Sequence, residues 1–479
     1  MKMKQKRIHR IITFIISIVI IISCQDSQYE ILPSSTLDTI DDLIEQTSTE
    51  NPSVLDSEKN DQVQTTIGKG LQIEFWHPWS GDMAEIINKL AAEYNSENPW
   101  SNEIQSKSHA DQDILIEDIT ELFQTDEDVP DLVVSSSQSL QTWYSNGYSI
   151  RELDGLLQLL EKEDSKNGIP EIFPVFWNVD DVNGKKIGIP AYESGQFLFY
   201  NQTWGEELGF DTHPQSTGDF REQTCLAEKT NRFDEEIENN GTGGWIYSLD
   251  SLSLLSWLRA FGGGELVNSR FQPILSEPEN IEALQYLYDI YLEDCAWSGK
   301  QQLPYSYFLR RNALLYSGQM EDIIRQLQID YPIERMDIWK LIPYPSPSGK
   351  PILMVKGLSF AFTSEDNERV TAALDFVRWV LQPEQQVEII EDTGAFPLSN
   401  DVIERIDTDL AMFPIWFDSL QYLPYAQPEP SFEDWYVMEK VLEDVGWQLI
   451  QFTMQPENIG DILTEAEDIL GEVKETIDK

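Results

Sequence analysis

Two short stretches carry the residue types best suited to holding a small polar molecule. Trp76-His77-Pro78-Trp79-Ser80-Gly81 sets two indoles, an imidazole and a hydroxyl on a Pro/Gly loop. Ser135-Ser136-Ser137 offers three hydroxyls and their backbone N–H groups. Aromatic faces cover the C–H patches of a solute, and a few placed polar groups meet its hydroxyls. Trp76, His77, Trp79, Ser80, Ser136 and Ser137 are therefore candidate ligand-binding residues. The serines equally suit the start of a helix over Gln138-Ser139-Leu140, where a hydroxyl caps free N–H groups. Bond-breaking chemistry has no comparable signal. There is no HExxH pattern, Gly262-Gly263-Gly264 is not followed by the Lys-Ser/Thr of a phosphate loop, and His9, His77, His109 and His213 lack metal-ligand spacing. No catalytic residue, metal or cofactor is expected.

A different chemistry lies near residue 24. Lys2, Lys4, Lys6, Arg7 and Arg10 precede the apolar run Ile11–Ile22, then Ser23-Cys24. A basic head, a short apolar core and a small residue before the cut form an export signal. The run falls below the roughly 18 to 20 residues that a membrane-crossing helix needs. Ile21-Ile22-Ser23-Cys24 is similar to a bacterial lipobox. That resemblance implies a diacylglyceryl group on the Cys24 thiol, two acyl chains holding the protein on a membrane, and a place on the extracytoplasmic face of the cell membrane.

Loss of residues 1–23 removes five cations and no anion, leaving 28 Lys and Arg against 84 Asp and Glu, a balance of −56. Such a surface repels nucleic acid and anionic lipid and favours cationic solutes. With 14 Trp, 18 Tyr and 21 Phe the chain can build a core of two or three lobes and stacking surfaces besides. Cys225 and Cys295 remain after Cys24; two thiols 70 residues apart do not by themselves establish a disulfide.

The elements that must position the loops can be read in outline. Residues 25–68 are polar and acidic and read as a disordered tether. Leu71–Trp76 alternates as a strand, and Met83, Ile86, Ile87, Leu90, Ala91 and Tyr94 fall at helical spacing over Asp82–Tyr94. Asp131–Val134 reads as a buried strand. Strands alternating with helices imply a parallel sheet, whose ligands gather beyond the strands' C-terminal ends. Lys185–Tyr200 reads as two strands around Pro190–Gly195, residues 250–330 as helical, Leu341–Pro347 as a crossover, and Val355–Thr363 as a strand. Val370–Leu381 reads as a helix with Ala373, Phe376, Val377 and Val380 on its apolar face, and 434–474 as helical.

Four segments carry a family resemblance: GKKIGIPAYESGQFLFYNQTWGEELGF, GGWIYSLDSLSLLSWLRAFGGGEL, VTAALDFVRWVLQPEQQVEIIEDTGAFPLS and FEDWYVMEKVLEDVGWQLI. In this order, behind a lipobox, they resemble the family 1 extracellular solute-binding proteins of ABC importers, in the maltose- and glycerol-phosphate-binding branch. The resemblance implies an α/β, two-lobed periplasmic-binding-protein-like fold of type II with the ligand in the cleft. Mapped here, lobe one is 69–192 plus 347–393 and lobe two 193–346 plus 394–475, crossing near Tyr192, Tyr344 and Ala395. It implies further site residues: Tyr192 and Glu193 at the first crossover, Trp245 and Tyr247, Gly357 and Ser359, and Trp435, where the maltose-binding branch stacks an aromatic on sugar. Met438-Glu439 replace that branch's arginine, and Tyr316-Ser317-Gly318-Gln319-Met320 stands where it has a further tryptophan, which argues against maltodextrin. The expected protein is a monomeric, non-enzymatic lipoprotein that delivers a mono- or oligosaccharide to permease subunits and binds no nucleic acid. The alternatives are a glycerol-phosphate-type or polyamine ligand, and a surface-anchored glycoside-active enzyme.

Overall fold

A computed structural model describes residues 67–125, 127–157, 168–299, 303–329, 337–406, 414–432 and 435–477. The chain divides into the units Met1–Asp56 and Ser57–Lys479, and every described residue belongs to the second. The export signal, Cys24 and nearly all of the acidic tether lie outside the described residues. No described helix is long and apolar enough to cross a membrane.

The strands are β1 (Gln72–His77), β2 (Glu103–Ser108), β3 (Leu132–Ser135), β4 (Asp181–Val182), β5 (Lys185–Lys186), β6 (Ile189–Asn201), β7 (Gly243–Ile246), β8 (Ala296–Trp297), β9 (Ala313–Gln319), β10 (Trp339–Ile342), β11 (Leu353–Phe362) and β12 (Ala426–Pro428). Ten of them form one sheet in the order β2-β1-β3-β11-β6-β9-β7-β8, with β10 on β6 and β12 on β11; β4 and β5 make a separate hairpin. β1 pairs parallel with β2 and β3, as its place among strand–helix alternations requires. The middle is antiparallel. β11 pairs with β3 through Ser359–Phe362 and with β6 through Met354–Phe360. β6 then continues to β9 through Gln196–Tyr200. Two long strands thus serve both ends of the sheet.

Several elements follow from their sequence pattern. Helix Gly81–Glu97 buries Met83, Ile86, Ile87, Leu90, Ala91 and Tyr94, the residues at helical spacing. Helix Asn367–Val380 lays Ala373, Phe376, Val377 and Val380 into the core. Pro383 opens the next helix at its first turn, and that helix ends at Gly394, whose φ of 74° is the left-handed conformation a helix terminus favours in glycine.

Three expectations are corrected. Lys185–Tyr200 is not two strands around Pro190–Gly195: β6 runs unbroken through that stretch for 13 residues, Ile189–Asn201. Pro190, paired with Ser359, sits beside an irregularity where the β11 register shifts between Leu358 and Ser359, the kind of place where a strand admits proline. The section 250–330 holds helices Ser251–Ala260, Pro278–Leu292, Tyr305–Leu309 and Asp322–Gln328, but also β8 and β9. β9 is buried on both faces, so its apolar run has no period that would mark it as a strand. β11 runs from Leu353 to Phe362, so it begins two residues before the Val355 start read from the sequence.

Cys225 and Cys295 form a disulfide with their Cα atoms 4.3 Å apart. It joins helix Thr217–Phe233 to the start of β8. Here the layers meet closely: a Cβ on Gly244 of β7 would stand 1.9 Å from the Cys295 carbonyl oxygen. Closing a 70-residue loop restricts the unfolded chain. Replacing both cysteines, Cys225→Ser with Cys295→Ala, is expected to cost roughly 2–4 kcal/mol, read as a lower urea midpoint, with a steeper slope because the unfolded chain is no longer cross-linked. An unmoved midpoint would mean the bridge adds nothing to stability.

Candidate functional site

A cavity of about 640 Å³ opens over the middle of the sheet. β1 contributes the loop that follows it: Pro78, Trp79 and Ser80 line the wall, and Asp82 follows in the first turn of helix Gly81–Glu97. β3 contributes Ser136. β6 contributes Tyr192 and Ser194, which share a face because strand side chains alternate. Both hydroxyls donate to the Glu321 carboxylate, Tyr192 at 2.9 Å. β11 lies opposite in register, Leu358 to Tyr192, Gly357 to Glu193 and Lys356 to Ser194, and all three β11 residues reach the cavity. The C-terminal segment closes the site with Glu429, just past β12, and with Tyr436 and Glu439 on helix Trp435–Leu449.

Charge is the dominant feature of the lining. Among the described residues it holds six carboxylates, Asp82, Asp113, Glu321, Asp392, Glu429 and Glu439, and two cations, Arg325 and Lys356. Arg325 is engaged by Asp322 at 2.9 Å. The Lys356 ammonium makes no hydrogen bond or ion pair with a described residue. Burial works against its charge, but Glu429, Asp250, Glu321 and Glu439 outweigh it, so the ammonium is held above its ordinary pKa. The acids respond in kind. Burial raises Glu429, partly offset by Lys356 and by the Trp435 indole, which donates to it. Burial, with Glu429 adding, pushes Glu439 up to about 7, although Lys356, Ser251 and Lys440 pull the other way.

A pit of about 30 Å³ adjoins the cavity and shares Ser136, Gln138, Lys356, Gly357 and Glu429 with it. Ser137 and Glu193 line only the pit. The Glu193 carboxyl folds over Gly357, where an added Cβ would stand 2.3 Å from it and displace it. Burial, then Asp180 and Glu429, drive Glu193 well above the carboxylate range and favour its neutral form. Ser137 donates to Asp180 at 2.5 Å.

Trp79, Ser80, Ser136, Tyr192 and Gly357 thus stand in the cavity wall, and Ser137 and Glu193 in the pit. Ser136 also caps its helix, accepting from the Ser139 N–H at 3.3 Å, so the capping residue lies in the cavity wall. The remaining candidates are placed elsewhere. β1 extends to His77, so Trp76 and His77 are strand residues, not loop residues. Trp76 packs with Leu115, Leu140 and Trp143, and Lys107 lies 3.6 Å over its ring. His77 is buried against Ser106 at 3.0 Å, and burial with His109 lowers its pKa to about 4, leaving a neutral ring. Trp245 and Tyr247 belong to the core with Phe220 and Trp257; the Trp245 indole donates to Ser317 and the Tyr247 hydroxyl to the Gly446 carbonyl, each at 3.2 Å. Ser359 is buried on β11 opposite Ser135. Trp435 is 1% exposed; its indole holds Glu429 rather than facing the cavity.

Sequence reasoning missed Lys356, Glu429, Glu439, Glu321 and Tyr436. Two left a trace. Lys356 is the one charge in the strand Leu353–Phe362, and Glu429 is an acid clamped between Pro428 and Pro430. The others sit on helices or turns where acids and tyrosines are common, and only the fold brings them together.

Residues 89–414 match the family model described as bacterial extracellular solute-binding protein. The sugar-binding protein MalE from the phytopathogen Xanthomonas citri aligns with a TM-score of 0.70 at 16% identity, over 85% of this chain and 99% of that one. The cyclic alpha-maltosyl-1,6-maltose binding protein of Arthrobacter globiformis gives 0.66 at 15%, over 83% and 98%. UgpB of Mycobacterium tuberculosis, solved with glycerophosphocholine, gives 0.66 at 17%, over 85% and 99%. At such identities the likeness speaks to the fold, and the fold is the two-lobed α/β arrangement expected from the sequence. With more than half of its length matched by one family model, the chain belongs to the bacterial extracellular solute-binding proteins.

Proposed function

We propose that the protein is the solute-capturing component of an ABC importer, that its ligand is a mono- or oligosaccharide, and that lipid on Cys24 holds it at the outer face of the cytoplasmic membrane. The observation that carries the sugar reading is the Lys356 ammonium, without a hydrogen-bond or ion-pair partner among the described residues, in one cavity lining with Glu321, Glu429, Glu439, Trp79, Tyr192 and Tyr436. A hydroxyl both accepts and donates, so one sugar hydroxyl can take a proton from the ammonium and give its own to a carboxylate. The rings supply apolar faces for the C–H surface. A polyamine would meet the Lys356 charge at the floor, and a phosphate diester would meet six carboxylates against two cations. The proteins of similar fold are named for sugars in two cases and solved with glycerophosphocholine in a third. Those names are of binders, which supports capture without conversion.

The lobes proposed are 69–192 plus 347–393 and 193–346 plus 394–475. Each suggested crossing is tied to its neighbours by backbone: Tyr192 pairs with Leu358, Tyr344 exchanges hydrogen bonds with Ile352, and the Phe396 N–H donates to the Glu193 carbonyl at 2.9 Å. Strands bound on both sides in this way suit a hinge that bends without coming apart.

Thermal shift and calorimetry on the purified protein with sugars, polyols and polyamines test the reading. A true ligand at a hundredfold excess over its Kd adds about 2.7 kcal/mol of stability and is recovered unchanged; release of a sugar product would instead make the protein an enzyme. Trp79→Ala is expected to weaken sugar binding about tenfold, near the worth of one aromatic contact, while leaving the unfolding midpoint close to that of the parent. Trp245→Ala is expected to destabilise the fold by roughly 3–5 kcal/mol as a core truncation. The reverse pattern would move the site.

The Glu439 carboxyl gives a pH dependence of known sign. Its folded pKa of about 7 lies above the ordinary 4.5, so the folded state binds more protons between those values and stability falls as pH rises through them. Glu439→Gln is therefore expected to stabilise the protein at pH 8 by roughly 1–3 kcal/mol, a gain that shrinks as pH falls toward 4.5. A gain independent of pH would assign the effect to packing.

A further inference from the structure

The pit that adjoins the cavity has a lining of two kinds. One kind is aliphatic: Val179, Val355, Pro428 and Pro430. The other offers protons. Ser136, Ser137 and Gln138 line the pit and begin the nine-residue helix Ser137–Ser145. The Ser139 N–H goes to the Ser136 hydroxyl and the Leu140 N–H to the Ser136 carbonyl, at 3.3 and 3.1 Å. The N–H groups of Ser137 and Gln138 meet no acceptor among the described residues. They are first-turn amides, which a helix cannot satisfy by itself. A second, independent observation is Glu193. It is 5% exposed and lines the pit, and its carboxyl makes no hydrogen bond or ion pair with a described residue. Burial, with Asp180 and Glu429 nearby, keeps it neutral, so it too can donate. The Lys356 ammonium adds further donors. The acceptor among these charged groups is Glu429, to which the Trp435 indole already donates.

At about 30 Å³ the pit holds about two water-sized groups. A lone hydroxyl leaves part of that space empty, brings a proton where donors are in excess, and leaves the aliphatic side chains uncovered. A carboxylate accepts, but sets a second anion beside Glu429. An acetyl amide suits both kinds of lining. Its carbonyl oxygen accepts two hydrogen bonds without bringing charge, and its methyl is buried against carbon. Its own N–H has Glu429 to go to. Resting on the saccharide reading above, we infer that the solute is an N-acetylated saccharide whose acetamido group enters this pit, its carbonyl oxygen meeting the Ser137 and Gln138 N–H groups and the Glu193 carboxyl, its methyl against Val355, Pro428 and Pro430.

The test is calorimetry on the purified protein with sugar pairs that differ only in acetamido for hydroxyl: N-acetylglucosamine with glucose, N-acetylgalactosamine with galactose, and chitobiose with cellobiose. In a pair that binds, the acetylated member is expected to bind about tenfold more tightly. Glu193→Ala is expected to cut that ratio about fivefold, near the worth of one hydrogen bond. Glu193→Gln, whose amide still donates, is expected to restore most of the loss. Equal affinities, a tighter hydroxyl member, or a ratio untouched by Glu193→Ala would overturn the inference while leaving a sugar receptor standing. Binding of no member of any pair would overturn the saccharide reading, and the inference with it.

Discussion

The site depends on one ladder, the antiparallel pairing of β6 with β11. It sets Tyr192, Ser194, Lys356 and Leu358 against one another by register alone, Tyr192 to Leu358 and Ser194 to Lys356. The closest point of that ladder is Gly357 against Glu193, where only the absence of a side chain lets a carboxyl lie over the strand. Because the same two strands join the parallel end of the sheet to the far end, these cavity-lining residues lie on the strands that run between its two ends. A solute resting there touches the connection itself, which is the condition for occupancy to bias the arrangement of the lobes.

A second constraint is electrostatic. An ammonium taken into a partly buried wall is tolerated only with opposite charge nearby, and Lys356 has it from four acids, the first of them in the chain being Asp250 at the N-terminus of helix Ser251–Ala260. Glu321 comes from the start of helix Asp322–Gln328, Glu429 from the segment after β12, and Glu439 from helix Trp435–Leu449. None of the described carboxylates closes on it as an ion pair. The charge is therefore balanced at a distance rather than neutralised by contact, and its donors stay available. This is how a site can be charged throughout and still suit a neutral hydroxyl.

The parts legible in sequence were those with a period. Ile73 and Phe75 alternate, and the six apolar residues of helix Gly81–Glu97 recur at helical spacing, because each element has one wet face and one dry face. β9 lies between β6 and β7, and its consecutive buried residues Ala313, Leu314, Leu315 and Tyr316 carry no such alternation. The disulfide joins residues 70 apart and became visible only once helix Thr217–Phe233 was seen against β8. For the site, the loops after β1 and β3 were found because strand ends are where such sheets bind. Aromatic residue type alone misled: Trp245 and Trp435 have the chemistry for stacking on a ligand and spend it on the core. The acids around Lys356 were hidden among 84.

Glu429 stands between Pro428 and Pro430, its N–H given to the Val355 carbonyl at 2.7 Å and its carboxylate taken by the Trp435 indole. Proline narrows φ on both sides, and the two hydrogen bonds fix what freedom is left. The neighbouring Ser431 is fastened to Gln141 at 2.7 Å. This acid is thus immobilised when the chain folds, not when a guest arrives. The entropy of ordering it falls on folding, and association is relieved of that penalty. The rigidity has a selective side as well: a carboxylate that cannot swing aside discriminates by shape, and a guest whose groups miss its fixed oxygens finds no second rotamer to meet them.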